Sequence, residues 1–164
     1  MNDFLHFLET SYTAYQAAEN ARTLLQAHGF RELDEGAPWD LQPQGKYFVV
    51  RGGSAVIAFV CGDAKKGFKI AASHLDSPCL KLKENPALSD GHCTRLNAEP
   101  YGGGIWHTFF DRPLRLAGRV VREENGALRA LPFASDFLVS LPSLAIHLDR
   151  EVNEKFAPNL QENL

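Results

Sequence analysis

The chain has 164 residues, 45% hydrophobic and 23% charged, the make-up of a globular protein long enough to bury a real core. Its 17 basic and 20 acidic residues leave a formal net charge of -3 with no Lys/Arg cluster, which argues against nucleic acid as a partner. No apolar stretch approaches a membrane span and no basic segment precedes an apolar one at the N-terminus; Cys61, Cys79 and Cys93 form no CxxC pair and read as reduced thiols in a cytoplasmic protein.

The first element along the chain is an amphipathic helix over 13–28. Ala14, Ala17, Ala18, Ala21, Leu24 and Leu25 recur at helical spacing, Ser11 or Thr13 can cap the start, and Gly29 supplies the stop. Strands over 46–51 and 55–61 follow, joined by Gly52-Gly53-Ser54, whose glycines accept the positive φ of a tight hairpin. Residues 64–67 read as a solvated turn. The apolar run 68–73 reads as a buried strand ending at His74, and Leu80-Lys81-Leu82-Lys83 alternates as a half-exposed strand does.

After Asn85-Pro86 the character changes, and a domain boundary is placed there. A loop over 88–91 leads to a strand over 94–98. Strands over 114–122 and 127–131 flank Glu123-Glu124-Asn125-Gly126, a strong hairpin signal, and a further strand covers 137–141. Pro142 and Ser143 then open a helix with Leu144, Leu148, Val152 and Phe156 on one face. The tail 157–164 shows no cap, and no return strand completes the first domain. The chain therefore reads as the N-terminal part of a longer polypeptide.

His74-Leu75-Asp76-Ser77-Pro78 carries the clearest chemistry. A neutral imidazole at a strand end can bind a metal through one ring nitrogen. A nearby carboxylate accepts a hydrogen bond from the N–H of the other, which fixes the tautomer and raises ligand basicity. Pro78 restricts Ser77 and stiffens the turn. One His with a supporting Asp does not hold zinc alone, since a catalytic zinc takes about three protein ligands and a structural one about four. A purely structural His–Asp hydrogen bond is the competing reading.

Cys79 suits a small buried apolar role better than that of a soft ligand. His147 stands four residues before Glu151, a spacing that puts both on one helix face, where they can hold a metal or simply face solvent. Tyr101-Gly102-Gly103-Gly104 suits a tightly turning arm better than a phosphate nest. Trp106, Phe109 and Phe110 can fill the core or a subunit interface, and Asp111-Arg112 reads as an ion pair or a turn. His6, His28, His92 and His107 show no partner pattern.

Several of these segments together resemble the aspartyl aminopeptidase family of co-catalytic zinc metallopeptidases. The resemblance is carried by the run from Ala72 to Lys81, by Tyr101-Gly102-Gly103 with Phe110-Asp111-Arg112-Pro113-Leu114, by Leu116-Ala117-Gly118-Arg119-Val120, and by Leu141-Pro142-Ser143-Leu144-Ala145-Ile146-His147-Leu148. Leu75 stands where the family usually has Thr, and Ser11 to Gln16 departs from the family's usual helix entry.

The resemblance implies an α/β fold: the N-terminal part of a zinc-peptidase α/β domain over 1–85, followed over 86–164 by an incomplete, β-rich inserted assembly domain. It implies that His74 ligates zinc and that Asp76 orients it. It implies that His147 lies near the metal centre, either as a zinc ligand or as a substrate-binding residue donated by a neighbouring subunit. The implied activity is release of N-terminal Asp or Glu from peptides, in a tetrahedral dodecamer. The complete site holds two zinc ions, and manganese or cobalt suit the same ligand types. The family's general-base Glu, bridging Asp and remaining ligands come from a later part of the polypeptide that has no match here. The chain alone is thus expected to be inactive. The alternative is a non-catalytic, truncated assembly module that associates through its β-rich part. A structural zinc site is disfavoured for want of a four-ligand set.

Overall fold

The computed structural model describes residues 2–159. Residues 160–164 of the tail lie outside the described residues. Two helices, α1 (Asn2–Thr10) and α2 (Ala14–Ala27), precede strands β1 (Arg31–Glu32), β2 (Lys46–Arg51) and β3 (Ala55–Val60). Strands β4 (Cys79–Ser89), β5 (Thr94–Tyr101), β6 (Pro113–Glu124) and β7 (Ala127–Ser140) follow, with short 3-10 turns at Ala64–Lys66 and Trp106–Phe109. The chain forms two compact units. The first runs to Asp76 and includes Ala117–Ala134; the second holds Ser77–Leu116 and the chain from Ser135 on.

In the first unit, Thr13 caps α2. Its backbone is extended and its hydroxyl accepts the Tyr15 N–H at 3.2 Å. The helix buries Ala17 and Ala18. Strand β2 lies between β1, which runs parallel to it, and β3, paired antiparallel from Lys46↔Val60 to Arg51↔Ala55. At the hairpin, where residues 52–54 join Arg51 to Ala55, Gly52 and Gly53 both take positive φ, and the Ser54 N–H donates to the Arg51 carbonyl at 3.2 Å, closing a β-turn.

Tyr47 and Val49 point to one face and join Leu33, with Phe59 and Cys61 packed alongside. The Tyr47 and Phe59 rings sit 5.7 Å apart. Phe48, alternating to the other face, is fully buried. The outer half of the β6–β7 hairpin belongs to this unit and is tied to it by polar contacts. Gln16 Nε2 donates to the Phe133 carbonyl at 2.9 Å. The Arg119 guanidinium lies 4.7 Å over the Tyr15 ring and donates to the Gly52 carbonyl at 3.2 Å.

The second unit is built on the antiparallel pair β4–β5, which runs from Cys79↔Tyr101 to Ser89↔Thr94. A bulge between Leu82 and Ala87 takes up Pro86, which has no N–H to give to a ladder. Asn85 lies within this strand. Ser135 is buried but satisfied: its hydroxyl accepts the Leu116 N–H and donates to the Phe137 carbonyl.

Helix α2, both hairpins and the 94–98 strand form where the sequence puts them, and the Asn125-Gly126 turn has both φ values positive. The strands expected over 127–131 and 137–141 are one continuous β7. Two expectations fail. The run 68–73 forms no strand, and Phe68 and Ile70 are 83% and 85% exposed. Among the described residues nothing pairs with it, and an apolar run becomes a strand only when neighbours take its backbone groups. The helix expected after Pro142 is instead a series of turns. Leu144 and Leu148 lie exposed, and a short helix without a packed face does not offset its nucleation cost.

Replacing Phe48 by Ala is expected to destabilise the chain by about 3–5 kcal/mol. Ile57→Ala, at a position 67% exposed, should stay within about 0.5 kcal/mol. Urea unfolding of the two variants checks this, and equal losses would mean that Phe48 is not at the centre of the core.

Candidate metal centre

The segment between β3 and β4 has little regular structure and bends at Leu75. The bend turns Asp76 back so that its Oδ1 lies 2.9 Å from His74 Nδ1. An ionised carboxylate only accepts, so Nδ1 carries the proton and the Nε2 lone pair is the one available to a ligand. The His74 side chain is 91% exposed, which leaves that nitrogen open. Pro78 and the start of β4 at Cys79 follow directly. Cys79 is exposed, not buried as its composition class suggests, and no residue of β4 is fully buried.

His147 belongs to the second unit. It sits exposed in a turn in which the Leu148 N–H donates to the Ala145 carbonyl at 2.8 Å. Glu151 begins a separate turn, accepting from the Glu154 and Lys155 amides. The helix face that was to join His147 with Glu151 therefore does not exist.

Asp111 is the residue that sequence reasoning undervalued. Its carboxylate accepts both the Ser143 N–H, at 2.8 Å, and the Ser143 hydroxyl. Asp111 and Arg112 lie in a turn, one of the two readings of the pair, and Arg112 donates to the Thr108 carbonyl. No local spacing signals a contact between residues so far apart in sequence.

A zinc ion takes about three or more protein donors. Among the described residues no three His, Cys, Asp or Glu side chains gather closely enough to hold one. The donor chemistry fits one prepared imidazole, His74, with Asp76 behind it.

Residues 7–164 match the family model of aminopeptidase I zinc metalloproteases, M18. The chain belongs to the M18 family. It is 43% identical over 166 residues to aspartyl aminopeptidase 1 of Schizosaccharomyces pombe, covering 97% of this chain and 35% of that protein. A chain of the cryo-EM structure of the Ape4 and Nbr1 complex matches it with TM-score 0.91 and 41% identity, over 98% of this chain and 32% of that one. The S. cerevisiae mApe1 dodecamer matches with TM-score 0.80 and 28% identity, over 89% of this chain and 36% of that one. This M18 chain thus spans roughly a third of the length of the curated relatives it matches. Its small sheets and paired helices are those of M18 aminopeptidase structures.

The hydroxyl and then the amide of Ser143 hold the Asp111 carboxyl below the usual carboxylate range. A depressed folded-state pKa stabilises the fold above the unfolded value of about 3.9 and loses that contribution as pH falls through the lower folded value. The Ser143 amide resonance should therefore hold its position down to pH ~4 and move only below it. A midpoint at or above the ordinary carboxylate value would show that the contact does not persist in solution.

Proposed function

We propose that this chain works as the N-terminal part of a longer M18 aminopeptidase that removes N-terminal Asp or Glu from peptides. The observation that supports it best is the His74–Asp76 pair. One imidazole is oriented through Nδ1, with Nε2 presented outward, inside a chain matched to a zinc metalloprotease family almost from end to end. The S. pombe relative, called an aspartyl aminopeptidase, supports the acidic preference.

On this reading His74 donates Nε2 to the metal. Asp76 accepts the hydrogen bond from Nδ1–H, prevents the ring from turning and makes the donor more basic. Zinc, when bound, supplies Lewis-acid polarisation of the scissile carbonyl and makes water acidic enough to attack near neutral pH. The family is zinc-dependent, and a two-ion site, with manganese or cobalt as substitutes, belongs to the proposal. His147 reaches the metal or the substrate's acidic N-terminal residue, in its own subunit or a neighbour's. Residues 1–85 begin the metallopeptidase domain and 86–164 belong to a β-rich assembly domain, with β4 running across the junction. The dodecameric state of the yeast neighbour supports self-association. Cytoplasmic location fits the thiols of Cys61 and Cys93.

The second reading is a non-catalytic assembly module. It is favoured by one observation, that no three-ligand cluster forms among the described residues. The 164-residue chain alone is accordingly expected to show no peptidase activity.

The polypeptide containing this chain should release Asp or Glu from short peptides, and chelation should stop it. His74→Ala should remove activity together with bound zinc. Asp76→Ala should cost about 10–100-fold in metal affinity or activity. Metal-dependent turnover by the purified 164-residue chain, or normal activity and zinc content in His74→Ala, overturns the assignment.

A further inference from the structure

Asp111 takes a left-handed backbone conformation, with φ of 54°. Asp tolerates that region better than most residues because its short side chain finds local partners, but it is seldom adopted without support. Here the support comes from the segment that leads to His147. The Asp111 N–H donates to the Leu141 carbonyl at 2.9 Å, beside a parallel bridge between Phe110 and Leu141. The Asp111 carboxylate takes the Ser143 N–H and the Ser143 hydroxyl. Hydrogen bonds to an ionised acceptor are stronger than neutral ones, and two of them on one serine fix its backbone as well as its side chain.

The other end of the segment returns to the same place. The Phe156 ring meets the Phe110 ring edge-on at 5.2 Å and the His107 ring at 6.1 Å. The stretch 143–156 is thus closed at both ends on residues 107–111, as a compact surface loop is. The turn carrying His147 lies inside that closed stretch. A loop left open at one end would have to be ordered again each time His147 engaged a partner, and the entropy lost would weaken that engagement.

We propose that Asp111 is a positioning residue for His147: by clamping Ser143 it closes the loop and sets where the imidazole stands. The inference rests on the reading above in which His147 meets substrate or metal. The Asp111 clamp acts through the loop and touches neither.

The variants separate clamp from backbone. Asp111→Gly accepts the left-handed φ but removes the acceptor. Asp111→Asn keeps an acceptor oxygen, and its amide can donate to the Ser143 hydroxyl. Ser143→Ala removes the hydroxyl half of the clamp with no change at position 111. The first readout is the His147 ring resonance in the 164-residue chain at fixed pH. It should move and broaden in Asp111→Gly, move less in Ser143→Ala and stay near its place in Asp111→Asn, while the His28 resonance of the first unit stays put. A His147 resonance that is the same in wild type and Asp111→Gly overturns the proposal.

The second readout is kcat/KM of the aminopeptidase containing this chain, with zinc content and thermal midpoint taken alongside. Asp111→Gly should lose about 10–100-fold with zinc unchanged, and Asp111→Asn should stay within about threefold of wild type. Equal losses in the two variants, or none in either, overturn the proposal. A wild-type protein without aminopeptidase activity refutes the enzymatic reading instead, and the ring resonance then decides the clamp by itself.

Discussion

The first unit depends on one strand that is covered on both faces. Tyr47, Phe48 and Val49 are buried in succession, which in an alternating strand means that neither face meets water. The position of β2 between β1 and β3 makes this possible, because its backbone groups have partners on both edges. The register of β2 against β3 sets Tyr47 opposite Phe59 and brings the Gly52-Gly53 turn to the hairpin end. That turn then offers the Gly52 carbonyl to Arg119, so the outer half of the β6–β7 hairpin is held by a contact that exists only because β2 has its register.

The two candidate histidines, one in each unit, are prepared in different ways. His74 is oriented by a partner two residues away, through a bend and a following proline. Such a contact needs no distant part of the chain, and it forms although, among the described residues, no strand pairs with the run 68–73 before it. His147 depends on a loop closed by residues far off in sequence, Asp111 at one end and Phe110 with His107 at the other. Loop closure of that kind carries an entropy cost that local contacts do not, and it is recovered only from the contacts at the closing point. Within one chain two candidate site residues thus rest on different physics.

The expectations that failed share a cause. Phe68 and Ile70 have the composition of a buried strand, and Leu144, Leu148, Val152 and Phe156 have the spacing of a helix face. Both patterns describe a surface waiting for a neighbour, and burial is a property of the pair. Where the neighbour is missing the pattern does not become an element, as the exposure of Phe68 and Leu148 shows. Phe156 does find partners, Phe110 and His107, but as the closing contact of a loop, not as one turn of a helix.

The sequence by itself determined what short-range forces decide. Thr13 capped a helix, glycines in sequence made a type of turn, Asn125-Gly126 reversed a hairpin, and Asp76 met His74. These follow from φ preferences and from donors and acceptors a few bonds apart, which any chain with those residues carries with it. The tertiary structure alone decided that β2 is the covered strand, that Pro86 is absorbed in a bulge, that Cys79 faces outward, and that Asp111 turns to Ser143 and away from Arg112. Each of those depends on which remote groups come within hydrogen-bonding or packing distance. Residue spacing has no term for that until the backbone is closed.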